Sequence, residues 1–338
     1  MRAIIALVTA TWTLCGCTSP YLYQKEVGSF SSGIVAVSNA VTQGLDNLNQ
    51  DQAAADLAQV AGKRAGVDVA PVCGKEIVPE PCRVTVHGET PDTFLAGKLA
   101  DFEVPERKVI AALKAYADGL AAVTNAQDRK DYDAAASQLA SSVAVLGTAL
   151  GAVYPPAGAA GPALSAVVTF ATWTIGEGLD AARYDTLRSA INTVGTPSTD
   201  LKGQSAIQVV ADKAITPALA AVRSARITLL FRQLNARQDR INLDLKATGA
   251  AHVSVERYDT PLAEMASLIA TLNAIRAVDP KAVGESLVKA HHDLQKAVND
   301  KSKQFQSLVS SIADFADKAA ALEKAFAKKS TATPSAAK

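Results

Sequence analysis

The chain has 338 residues, and its 34 Lys and Arg nearly balance 33 Asp and Glu, leaving a formal charge of +1. That balance excludes a general nucleic-acid binder, which needs a strong basic excess. Hydrophobic residues reach 49% while aromatics are only 5%, with alanine making up much of the difference, a composition suited to long helices packed through small side chains.

The N-terminus decides the address. Arg2 is the only charge before Lys25, and Ala3 to Leu14 is mostly apolar, the charged start and short core of a secretory signal. As a helix this core spans about 18 Å against roughly 30 Å of bilayer hydrocarbon, too short for a spanning anchor. Leu14, Cys15, Gly16 and Cys17 then follow. In these residues the chain resembles a bacterial lipoprotein precursor, whose lipobox is an aliphatic residue, two small residues and a cysteine. The resemblance covers about seventeen residues and implies no fold. It implies cleavage after Gly16, lipidation of Cys17 (palmitate among the acyl chains), loss of Cys15 with the signal peptide 1–16, and attachment to membrane through the N-terminal lipid. Thr18 occupies the place where many inner-membrane lipoproteins carry Asp, which implies the outer membrane, facing the periplasm. Residues 17–32 are expected to be the lipidated N-terminus and a tether.

Cys73 and Cys82 remain, one pair in an oxidising compartment, bracketing a loop stiffened by Pro79 and Pro81. A disulfide is expected, contributing about 3 kcal/mol or less for so small a ring. Zinc would need more ligands than His87 offers.

The domain expected over 33–329 is all-α: an elongated antiparallel bundle of five or six long helices with coiled-coil-like packing and one small disulfide-closed irregular or β insert. Val27, Phe30, Ile34, Val37, Val41, Leu45 and Leu48 step by threes and fours, predicting a helix to about Lys63. The insert, 66–90, is rich in Pro and Gly, and Arg83 to His87 alternates like a strand. Pro105 opens a helix with Val109, Leu113, Tyr116, Leu120 and Val123 on one face, predicted to continue, bent near Asn125, to Tyr154. A return helix is predicted from Pro162 to Val194, with Ser198 or Thr199 capping a long helix from Asp200 to Thr248 bent at Pro217. A helix from Pro261 to Val278 follows. The last, from Pro280, keeps Leu287, Leu294, Val298, Phe305, Leu308, Ile312, Phe315, Ala319, Leu322 and Phe326 near heptad spacing and is predicted as one rod of about 75 Å. Residues 330–338 read as a disordered tail.

From 134 to 176 no charge occurs. Pro155 and Pro156 divide this stretch into a helical hairpin, and Gly147 and Gly151 give a GxxxG spacing that permits close helix approach. Two central core helices would produce such a run; so would a membrane-inserting or partner-binding tip, with Leu146 and Val167 as contact residues. The first arm carries six strong apolar residues, favouring insertion by only roughly 2 to 4 kcal/mol before Gln138 and the serines oppose it.

Motifs for catalysis and metal binding are missing. His87, His252, His291 and His292 form no HExxH, and no GxSxG elbow or phosphate-binding GxxxxGK[ST] loop occurs. Gly176, Gly178 and Ala181 spell GxGxxA without the strand that gives the pattern meaning. Arg223, Arg226, Arg237 and Arg240 lie within about 100° on a helix, either an acidic-partner contact for lipid head groups or a solvated flank whose stems cover an apolar seam. The expected function is therefore non-enzymatic and without cofactor: a lipid-anchored envelope scaffold or binding protein with a protein partner. The alternative is a membrane-active bundle using 134–176, a layout similar in architecture to α-helical pore-forming toxins.

Overall fold

The computed structural model describes residues 21–63, 67–69, 83–86, 93–96, 105–154, 178–248, 256–299 and 305–327. Cys17, Cys73, Cys82, Pro155, Pro156 and Val167 lie outside these, as do residues 1–16 and 330–338, so the expected signal peptide, disulfide, hairpin turn and tail do too.

The described chain is mainly helical, as its composition predicts. Helix α1 (Tyr21–Lys63) is 43 residues long, about 65 Å. The predicted apolar steps are its buried face: Val27, Phe30, Ile34, Val37, Val41 and Leu45 are all buried. Residues 21–32 thus belong to the bundle and not to a tether; Val27 and Phe30 have apolar partners that a solvated linker would lack.

A three-stranded antiparallel sheet follows, β1 (Val67–Val69), β2 (Arg83–Val86) and β3 (Thr93–Ala96), in the order β1-β2-β3. Val84 pairs with Val69 on one side and Leu95 on the other. β2 is the strand expected from the alternation after Cys82; its two neighbours were not anticipated.

Helices α2 (Pro105–Asn125) and α3 (Arg129–Val153) are separate and antiparallel, which corrects the single bent helix predicted to Tyr154. The break is made by Asp128, whose side chain accepts from the Asp131 N–H at 2.8 Å and caps α3. Gly119 lets the pair close up: a Cβ there would lie 3.0 Å from the Leu139 Cα. α4 (Leu179–Gly195) leads to a short 3-10 turn, Thr199–Leu201, and Ser198 caps this turn rather than the long helix it was expected to open.

The predicted helix from Asp200 begins later. α5 (Ala206–Val210) starts at a capping box in which Ser205 and Gln208 satisfy each other's backbone N–H groups. A π-helical stretch, Ala211–Ile215, then joins it to α6 (Thr216–Thr248). This wider turn stands immediately before Pro217, which has no N–H to donate, so the ladder changes register where the proline would have left a carbonyl unpaired.

α7 (Glu256–Arg276) starts five residues ahead of the prediction and contains Pro261. α8 (Pro280–Asn299) opens on Pro280 with Asp279 capping the Lys281 and Ala282 N–H groups. α9 (Phe305–Ala327) packs against α8, so the predicted single rod is two helices. Heptad spacing persists across the break because each helix has its own buried seam: Leu287, Leu294 and Val298 on α8, Leu308, Ile312, Phe315, Ala319, Leu322 and Phe326 on α9.

Nor is the packing uniformly antiparallel. α1 runs against α2, with Gln24 bonded to Asn125. It runs parallel to α6, since Asp51 meets Arg226 and Asp56 meets Arg232, and parallel to α9, since Gly33 faces Phe315 and Asn39 bonds Glu323. Short links force antiparallel neighbours; α1, α6 and α9 are far apart in sequence and escape that constraint. α1 is the axis on which α2, α6 and α9 all pack.

Candidate functional site

Among the described residues, two buried polar clusters and one apolar helix face have chemical or binding potential. The first cluster joins α1, α6 and α9. Arg226 Nε donates to Asp51 Oδ2 at 2.9 Å, and Arg226 Nη1 donates to the Phe326 carbonyl at 2.8 Å. Asn47 Nδ2 reaches the same carbonyl at 2.6 Å, and Gln233 Nε2 donates to the Asp51 carbonyl at 3.0 Å. Two donors thus hold a carbonyl in the last turn of α9, one of the groups a helix end leaves unpaired. Burial pushes the Asp51 carboxyl above its usual range, while the charge and hydrogen bond of Arg226 pull the other way. Gly44 brings the helices close enough for this: a Cβ would stand 2.5 Å from Val222 Cγ1 and 3.2 Å from Phe326 Cδ2.

This corrects the reading of Arg226 as a contact for an acidic partner. It is fully buried and already paired within the chain. The other three arginines diverge. Arg223 donates to the Ile275 and Arg276 carbonyls at 3.3 and 2.9 Å, a cation at the C-terminus of α7. Arg237 meets Glu264 at 3.2 Å, and Arg240 stays exposed. The arginines are mostly fasteners between α6 and its neighbours, and the stripe does not present a continuous cationic surface.

The second cluster is at the junction of α1, α2 and α8. Tyr116 Oη and His291 Nε2 are 3.0 Å apart, with the Phe30 ring centroid 5.8 Å from that of His291. Burial, with a smaller contribution from the His292 charge, pushes His291 down to about 3 and raises the Tyr116 hydroxyl, so both are neutral. His291 Nδ1 has no hydrogen-bond partner among the described residues. A neutral pair enclosed by Phe30 has no open face for substrate, and it pins the α2–α8 contact.

The apolar face is α3, the first arm of the uncharged stretch. Leu139, Val143, Leu146 and Leu150 are all at 0% exposure, Gly147 is buried and Gly151 half-buried. Tyr132 ties the start of α3 to α4 through Thr186 Oγ1 at 2.6 Å and the Ala182 carbonyl at 3.2 Å. The opposite flank, Ala134, Ser137, Gln138, Ser141, Val145, Thr148 and Ala152, is exposed and uncharged. α3 and the span from Ala206 to Ala247 are long and apolar enough to cross a membrane by length and composition. Freeing the four fully buried side chains of α3 would cost roughly 6 to 12 kcal/mol. That exceeds the roughly 2 to 4 kcal/mol insertion would return.

Against family models, curated proteins and solved structures, the chain has no match. Function must therefore be argued from the residues. Among the described residues no group of three or more His, Cys, Asp or Glu could hold a metal ion.

The sequence reading missed Asp51, Asn47, Gln233 and the Tyr116–His291 pair. A signal for some of them was present: Asp51 continues the apolar register from Leu48, Arg226 that from Val222, and His291 that from Leu287, so each stands where the helix faces inward. A polar residue at such a position needs a partner, and only the fold supplies its identity.

Proposed function

We propose that the protein is a lipid-anchored cell-envelope lipoprotein in which an elongated helical body, held at one end by Cys17, acts as a non-enzymatic scaffold or binding protein. The Leu14 to Cys17 lipobox supports the attachment. The observation that carries the reading is the distance from cysteine to fold: Tyr21, only four residues beyond Cys17, already begins α1, the helix on which α2, α6 and α9 pack. An acyl group at Cys17 would have almost no slack, so the bundle would stand off the membrane as a stiff extension of its anchor. Each buried methylene contributes about 0.8 kcal/mol, and two or more acyl chains hold a protein stably. The outer membrane, the periplasmic orientation and the Cys73–Cys82 disulfide belong to the same reading.

The partner is an envelope protein met by exposed helix faces. Photo-crosslinkers placed at Phe231 on α6, Leu262 and Ile269 on α7 and Val309 on α9, all roughly half-exposed apolar residues, test it in cells. A discrete adduct from one face supports the scaffold; clean negatives from every face count against it.

The membrane-active alternative draws its support from the exposed uncharged flank of α3. It requires that flank, and not the buried Leu146 face, to meet lipid first. Dye release from liposomes that depends on Val145 would favour it over the scaffold.

A further inference from the structure

A groove of about 440 Å³ runs along the seam of α1 and α6. Val41, Leu45 and Leu48 of α1 form one wall, and Val222 and Leu229 of α6 contribute to the other. The trough exists because α6 places alanines, Ala218, Ala221 and Ala225, where larger side chains would fill it. Since α1 and α6 are parallel, the groove has two different ends. The Val41 and Ala218 end is apolar; the other holds Gln52 and Arg232.

We propose that this groove is a binding site for one long-chain fatty acid, its alkyl chain lying in the alanine trough and its carboxylate at Arg232. Two observations choose this occupant. The eleven helical steps of α1 from Val41 to Gln52 span about 16 Å, so the groove is long enough for an extended chain with its head at the polar end. The polar end carries Arg232, whose charge is shared with Asp56 but whose donors are only partly used. Arg232 uses Nη2 for Gln59 Oε1 at 2.7 Å and Asp56 Oδ1 at 3.4 Å, and no described residue bonds its Nε or Nη1. Its side chain is 34% exposed, whereas Asp56 is 4% exposed and also accepts from Gln52 Nε2 at 2.7 Å. Asp56 and Gln59 therefore hold the guanidinium through Nη2, leaving Nε and Nη1 to donate to an incoming carboxylate. A pocket of this volume, apolar with a few convergent polar groups, falls in the size range of small-molecule sites. The site does not depend on Cys17 being lipidated.

The test is calorimetric titration of the purified full chain, stripped of bound lipid, with sodium octanoate, decanoate, dodecanoate and tetradecanoate below their micellar concentrations, and with the matching 1-alkanols. Expected are one site per chain and a Kd falling about fourfold per added methylene, the factor equivalent to about 0.8 kcal/mol, until the groove is full. Carboxylates should bind more tightly than alkanols, and Arg232→Gln should erase that preference while keeping the chain-length dependence. Ala225→Phe, which fills the trough, should abolish binding without lowering the melting temperature; if that variant folds poorly, Ala221→Leu at the half-open lip serves instead. Affinity indifferent to chain length, many acids bound per chain, or unchanged binding by the trough-filling variant would overturn the proposal. So would self-association that Ala225→Phe abolishes in a chain that binds no fatty acid, which would give the groove to a second copy. Failure here leaves the anchored reading standing, because Cys17 takes no part in the titration.

Discussion

Arg226 and Asp51, 175 residues apart in sequence, face each other at 2.9 Å with their side chains at 0% and 1% exposure, and the same guanidinium holds the end of α9 through the Phe326 carbonyl. Removing one partner of a buried ion pair strands the other charge and costs about 3 to 5 kcal/mol. Arg226→Ala is therefore expected to destabilise by about that amount in urea unfolding. Arg226→Met combined with Asp51→Leu should recover a large part of the loss. Equal stability of Arg226→Ala and the parent would show that the pair does not fasten α1 to α6.

Acid should weaken the fold through His291. Its folded pKa, pushed down to about 3 by burial, lies below the ordinary value of 6.5, so between those limits the unfolded chain binds more protons than the folded one. The contribution is fully present above pH 6.5 and is lost as pH falls toward 3, at up to about 1.4 kcal/mol per pH unit. The double variant His291→Leu with Tyr116→Phe removes both polar partners, and its stability should fall less steeply across that window. An unchanged slope would mean that other groups set the acid response.

Two glycines of α1 should respond in opposite directions. A Cβ at Gly28 meets nothing within 4 Å, so Gly28→Ala should stabilise by about 0.5 to 1 kcal/mol through helix propensity. At Gly44 the added Cβ would stand 2.5 Å from Val222 Cγ1, and Gly44→Ala should cost about 1 to 3 kcal/mol, with partial rescue by Val222→Ala. Thermal melts of the three variants decide it; matching shifts at the two glycines would contradict the close approach of α1 and α6.

The two faces of α3 separate core from membrane contact. Val145 is 52% exposed and Leu146 is fully buried. Val145→Lys should leave stability within about 0.5 kcal/mol, as surface substitutions do. Leu146→Lys should cost well over about 3 kcal/mol by burying an unpaired charge. Under the scaffold reading neither substitution alters liposome binding. A loss of binding in Val145→Lys with unchanged stability would move the function to the membrane.

Much of the helical content was legible because the chain marks it locally. The steps from Val27 to Leu45 and from Val109 to Val123 are the buried faces of α1 and α2, and Pro105 and Pro280 open α2 and α8. Breaks between helices were harder to read. Nothing in the apolar spacing separates Val298 from Leu308, since both face the core on different helices, and α3 could be told from α2 only by recognising Asp128 as a cap. Partners distant in sequence were not legible at all. Arg226, Arg237 and Arg240 look alike on a helical wheel; Asp51 and Glu264 make the first two internal, and only Arg240 is left exposed. The groove was equally hidden, because its shape depends on the small residues of α6 lying opposite Val41 to Leu48 of a parallel helix.

The anchored account rests on chemistry at one sulfur atom, and mass spectrometry of the N-terminal peptide from envelope-extracted protein reads it directly. The account predicts a mature chain that starts at Cys17, heavier than its bare sequence by at least two fatty acyl groups, and released to the soluble fraction by Cys17→Ser. An unmodified N-terminus, or a Cys17→Ser chain that stays with the membrane, would contradict it.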